Sequence, residues 1–140
     1  MNKILVFILF AMFPIVYANP DYADCLLYNI NTSITNVTFT PDPPSPLGLP
    51  LLFNYSISGI SPTTTSTSLF VEFFTENSNS PFDAHIIQVP SNVTELNLTD
   101  LYVSMPILTN SYLIMFALVD DSIGYINCVT FPHFSSSPSN

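Results

Sequence analysis

The sequence predicts an all-β fold, an antiparallel sandwich or barrel. Three observations predict it. Short apolar–polar alternations recur along the chain. Prolines outnumber glycines 13 to 3. No stretch carries a convincing helical apolar period. An amphipathic helix needs a 3.6-residue period to bury one face, whereas a strand needs a period of two. The prolines end strands, because proline has no N–H for the ladder.

Met1 to Ala18 precedes the first alternation and reads as a secretory signal peptide. Lys3 supplies the positive start, Ile4 to Phe13 the apolar core, and Val16-Tyr17-Ala18 a cleavage pattern. That core is too short to span a bilayer of roughly 30 Å as a helix. An uncleaved anchor is the alternative reading. No later run approaches ~20 apolar residues. The polar end from Phe134 to Asn140 lacks the tail of a glycolipid-anchor signal. Residues 19–140 are expected to form one domain, a monomer with no transmembrane segment. The expected location is outside the cell, or the vacuolar or lysosomal lumen reached by the same route.

The sequence holds 10 acidic residues and a single Lys or Arg, which is Lys3. Cleavage after Ala18 leaves no Lys and no Arg. Nucleic acid is therefore excluded as a partner, since nothing neutralises phosphate. Docking on anionic membranes is disfavoured, which leaves transient contact with neutral ones. Ten carboxylates without basic partners repel one another, so their pKa values are expected to rise on average and to favour mildly acidic compartments. Solubility then falls to hydroxyls, amides and glycans. Sequons occur at Asn31, Asn36, Asn54, Asn92 and Asn97. Chance is the alternative in a chain rich in Ser, Thr and Asn.

Cys25 and Cys128 are the two cysteines. In an oxidising compartment a disulfide is the stronger reading, and two free thiols the alternative. Metal binding needs more ligands, and His85 and His133 have no ligand spacing with either cysteine. No metal and no cofactor are expected.

The elements follow in order. Ile34 to Thr40 alternates, with Val37 and Phe39 inward if the Asn36 sequon faces solvent. Pro41 to Pro46 ends that strand. Leu51 to Ile57 alternates next, and the Asn54 sequon turns Leu51, Phe53, Tyr55 and Ile57 inward. Gly59 to Ser68 reads as a polar loop. Leu69 to Thr75 places Leu69, Val71 and Phe73 inside and Glu72 outside. Glu76 to Pro81 is a loop, Ala84 to Val89 a short strand, and Thr94 to Met105 one or two strands. Tyr112 to Val119 is apolar on both faces, as a central strand is. Asp120, Asp121, Ser122 and Gly124 turn the chain, and Tyr125 to Phe131 returns antiparallel.

The spacing also resembles a known family. Ile34-x-x-Val-x-Phe, then Pro41-Asp-Pro-Pro, Pro46-Leu-Gly and an alternating strand up to Gly59 resembles the first half of ML domains, the lipid-recognition family. Met105-Pro106, the strand from Tyr112, the acidic turn and Cys128 resemble that family's last hairpin. The likeness is greatest to fungal phosphatidylglycerol/phosphatidylinositol transfer proteins. It spans nearly all of residues 19–140. One departure stands out: ML domains usually carry further cysteine pairs, and Asn77 to His85 has none.

The resemblance implies an immunoglobulin-like two-sheet sandwich that holds a lipid between its sheets. The cavity lining would be Val37, Phe39, Phe53, Tyr55, Val71, Phe73, Tyr112, Ile114, Phe116 and Leu118. The lipid would be a phospholipid, a sterol or a fatty acyl chain, held for transfer between membranes or for recognition. From alternation alone, an ordinary filled core is the stronger reading of the same residues. An enzyme is not expected. There is no Gly-x-Ser-x-Gly, no phosphate loop and no His-Glu-x-x-His. Asp120-Asp121 reads as a solvated turn, and His85 and His133 as surface or packing residues. The alternative function is a secreted acidic glycoprotein with a filled core that acts through surface recognition or adhesion.

Overall fold

The computed structural model describes residues 23–25, 35–41, 44, 49–75, 78–107 and 111–133. Their regular elements are all strands: β1 (Ala23–Asp24), β2 (Thr35–Thr40), β3 (Leu51–Ser58), β4 (Thr67–Thr75), β5 (Asp83–Gln88), β6 (Glu95–Val103), β7 (Tyr112–Asp120) and β8 (Gly124–His133). They form two antiparallel sheets. One has the order β1-β8-β7-β4-β5, the other β2-β3-β6. The chain passes between sheets at β1–β2, β3–β4, β5–β6 and β6–β7. This is the Greek-key interleaving of an immunoglobulin-like sandwich. No helix among the described residues is long and apolar enough to cross a membrane.

Period-two alternation sets the inner faces. Leu51, Phe53, Tyr55 and Ile57 of β3 are buried, while Asn54 between them and Ser58 after them are exposed. β7 is central to its sheet, as its two apolar faces require, and pairs with β4 and β8 along its length. Its inward residues join the core between the sheets. Met115 and Ala117 face the other way, into a small outer cluster with Cys25 and Cys128. Those cysteines form a disulfide, with Cα atoms 5.5 Å apart. It staples the short β1 to β8 on the outer side of the larger sheet.

β6 is one strand, carried through an irregularity. Phe53 opposes Leu101 and Tyr55 opposes Leu98, so an extra residue bulges from β6. Asp100 takes the left-handed φ of 55° there. Its N–H donates to Asn54 Oδ1 at 2.8 Å, which supports the bulge.

The two ends of the sandwich differ. At the end holding the β7–β8 turn, main-chain bonds tie the β3–β4 loop to the β5–β6 loop. Thr63 N–H donates to Val93 O at 3.0 Å, and Asn92 N–H to Thr63 O at 2.8 Å. The opposite end holds Pro41, Pro44 and Pro106. Four apolar side chains stand exposed beside it: Leu49, Phe82, Tyr102 and Ile107. Tyr102 is 70% exposed and Ile107 75%, which leaves apolar matter at this rim rather than in the core.

Two expectations are corrected at the turn end. Gly59 to Ser68 is not all loop, because Thr67 and Ser68 are buried at the start of β4. Asp120 is not solvated; only 1% of its surface is accessible. Its Oδ1 accepts from Ser122 Oγ at 2.6 Å and from Ser122 N at 2.9 Å. Its Oδ2 accepts from the hydroxyls of Thr64, Ser66 and Thr67. Thr67 serves this carboxylate from the start of β4, and Thr64 and Ser66 serve it from the turn just before. Asp121 beside it is exposed, as a turn residue should be. Gly124 follows with φ 87°, a conformation an L side chain resists.

This clasp sets one carboxylate apart from the average rise expected of the others. The Ser122 hydroxyl, then those of Thr64 and Thr67, hold Asp120 well below the usual carboxylate range, against the weaker opposing push of burial. Glu72 moves the other way, raised by burial on the outer face. A depressed carboxyl contributes stability above its unfolded pKa of about 4 and loses it as pH falls through the folded value. A raised one contributes as pH falls. Thermal melts should therefore hold or rise slightly from pH 7 to pH 5 and fall below about pH 4. Asp120→Ala should melt lower at pH 7 and show a shallower acid decline. A wild-type Tm dropping steadily from pH 7 to pH 5 contradicts this.

Candidate functional site

The ten residues expected to line an internal site lie together. Val37 and Phe39 come from β2, Phe53 and Tyr55 from β3, and Val71 and Phe73 from β4. Tyr112, Ile114, Phe116 and Leu118 come from β7. All ten are buried in one continuous apolar layer between the sheets. The layer also takes in residues that alternation had not placed at the site, among them Val129 and Phe131 of β8.

Aromatic rings fill its middle. Phe116 meets Phe53 edge-on with centroids 5.0 Å apart, and Phe131 at 5.7 Å. Phe131 in turn meets Phe39 at 5.1 Å. Such pairs contribute about 0.5–1.5 kcal/mol each beyond their burial. Phe131 is thus the hinge of the cluster. The spacing of Val129 and Phe131 on β8 was its signal, obscured by the polar Asn127 on the same face.

Towards the turn end, beside the Asp120 clasp, a second buried polar pair enters the layer. Tyr55 Oη donates to Asn127 Oδ1 at 3.2 Å, and both residues are wholly buried. Burial pushes the Tyr55 hydroxyl well above the ordinary phenol range. Towards the proline end, Tyr112 Oη donates to Pro44 O at 3.3 Å across the sheets. His85 Nε2 lies 2.8 Å from Ser104 O, with its ring against Phe73. His85 is thus a packing residue that bridges β5 to the chain after β6.

The outer faces contrast. Asn36, Asn54 and Asn97 are exposed on β2, β3 and β6, where Ser56 stands between Asn36 and Asn97 in register. Three sequons therefore share the outer face of the smaller sheet. Asn92 is exposed in the β5–β6 loop with φ 60°. Asn31 lies outside the described residues. On the larger sheet, Phe70, Glu72, Ala117, Val119 and Tyr125 line a shallow pocket of about 130 Å³. No group of three His, Cys, Asp or Glu among the described residues could hold a metal ion.

The fold and this layer define a disulfide-stapled β-sandwich with an aromatic interior. No protein-family model matches the chain, and no curated protein matches its sequence.

Proposed function

We propose that the protein is a secreted carrier that binds one lipid non-covalently between its sheets and performs no catalysis. The observation that carries this reading is the gathering of all ten expected lining residues into one apolar layer. The layer runs towards a rim of exposed apolar side chains at the proline end, where a lipid leaving a membrane would meet it. The resemblance to ML domains points the same way. The ligand enters by parting the edge-on rings of Phe53, Phe116 and Phe131, at a cost of about 0.5–1.5 kcal/mol per ring pair beyond burial. Each CH₂ it buries is worth ~0.8 kcal/mol, so about ten carbons offer roughly 8 kcal/mol before association costs. That suffices for micromolar binding with no charged contact.

The test is a lipid profile of the protein purified from its native source. Stoichiometric co-purifying lipid supports the carrier. Protein free of lipid, which also fails to bind labelled fatty acid, phospholipid and sterol, contradicts it.

A second reading has its own observation. The ring contacts already fill the middle of the sandwich, while the larger sheet presents an apolar pocket outward. A filled core with surface recognition through that sheet fits these facts. It predicts lipid-free protein from every source.

Glycans on Asn36, Asn54 and Asn97 would sheathe the smaller sheet and leave the larger one bare. Glycosidase treatment of the native protein should lower its mass by more than one glycan. An unchanged mass contradicts this. N-terminal sequencing should begin at Asn19, whereas a start at Met1 would show that the leader is kept.

A further inference from the structure

Asn127 sits where alternation calls for an apolar side chain. It faces Leu118 in register on β7. Val129 and Phe131 follow it along β8, buried in the inner layer. Its Oδ1 is taken by the Tyr55 hydroxyl, yet its Nδ2 meets no hydrogen-bond partner among the described residues. A buried donor left unmade costs more than a made bond contributes, and a leucine would fill the same space without that cost. Asn127 therefore offers an N–H that no group among the described residues takes.

We propose that Asn127, through the Nδ2 that Tyr55 does not engage, is a polar anchor for the oxygen of a neutral, singly oxygenated lipid, an assignment that rests on the carrier reading. Three features set the ligand class. The free group is a donor, so the ligand presents an acceptor: a hydroxyl, ketone, aldehyde or ester oxygen. Residues 19–140 contain no Lys or Arg, so a carboxylate or phosphate brought here would be an unpaired buried charge. Leu118, Val129 and Phe131 beside it are apolar, and the buried Asp120 and Thr67 at this end bond each other, so one oxygen is matched and a second is not. Position sets the orientation. From the proline end, the Phe39, Phe53, Phe116 and Phe131 cluster comes first and the Tyr55–Asn127 pair beyond it. The ligand enters oxygen first, and its hydrocarbon tail lies among the rings towards the exposed rim.

The experiment uses the delipidated secreted protein and three probes of equal chain length: hexadecanol, hexadecane and palmitate. Wild type should bind hexadecanol about tenfold more tightly than hexadecane, the worth of one net hydrogen bond. It should bind palmitate at pH 7 more weakly than hexadecanol. Asn127→Leu should fold at least as stably as wild type and lose the hexadecanol preference while keeping hexadecane. Tyr55→Phe leaves the amide in place and should keep the preference, so it serves if Asn127→Leu fails to fold. A wild type that binds hexadecanol and hexadecane equally overturns the anchor and leaves the carrier standing. So does a folded Asn127→Leu with its preference intact, as expected if the amide holds only a buried water. So does a Tyr55→Phe variant that has lost the preference. A folded wild type that binds none of the probes overturns the carrier reading itself, and the anchor with it.

Discussion

Phe116→Asp should leave the protein without a cooperative unfolding transition. Phe116 is fully buried, and its ring touches those of both Phe53 and Phe131. Truncating a buried phenylalanine costs about 3–5 kcal/mol. A carboxylate in its place faces no Lys or Arg, and its desolvation adds several kcal/mol unless it takes up a proton. The sum approaches the whole stability of an ordinary domain, about 5–15 kcal/mol. Phe116→Leu keeps the volume apolar and loses chiefly the ring contacts, so it should cost about 1–2 kcal/mol and stay folded. Circular dichroism with thermal melting decides between them. A Phe116→Asp variant melting within a few degrees of wild type would show that the rings do not hold the sheets together.

Removing the disulfide should have the second largest effect. Cys25 and Cys128 are 103 residues apart in sequence, so the bond closes nearly the whole described fold into one loop. Chain entropy alone gives about 4–5 kcal/mol for such a loop. The pair is also packed against Met115 and Ala117, so a thiol or hydroxyl there would disturb the outer cluster as well. Cys25→Ser with Cys128→Ser should lower Tm by about 10–20 °C. β1, only two residues long and paired with β8, should fray first. A shift under 3 °C, or two alkylatable thiols in unreduced wild type, would contradict this.

The inner layer was legible because period-two alternation and outward sequons agree. Asn54 must face solvent to carry a glycan, and that alone turns Phe53 and Tyr55 inward. The strand ends were less legible. Asp120 reads as a turn residue by its neighbours Asp121, Ser122 and Gly124. What buries it is a set of hydroxyls more than 50 residues earlier, Thr64, Ser66 and Thr67, whose own run looks like loop. Asn127 was hidden for the opposite reason. A lone amide in a strand normally marks the outward face, and here it marks the inward one. The rim of Leu49, Phe82, Tyr102 and Ile107 could not be read at all, since those residues come from three separate segments that only the Greek-key path brings to one end. The pocket of the larger sheet is of the same kind, assembled from β4, β7 and β8.

The measurement that bears most directly on a carrier is native mass spectrometry of the secreted, glycosidase-treated protein, in wild type and Phe53→Ala. Phe53 is buried against Phe116, so its truncation opens space between the sheets while leaving Phe39, Phe116 and Phe131 in contact. The carrier account predicts a stoichiometric mass increment in wild type that organic extraction removes, and a shift to longer or bulkier lipids in Phe53→Ala. Two folded proteins with bare polypeptide masses, neither taking up hexadecanol, palmitate or sterol, would contradict it.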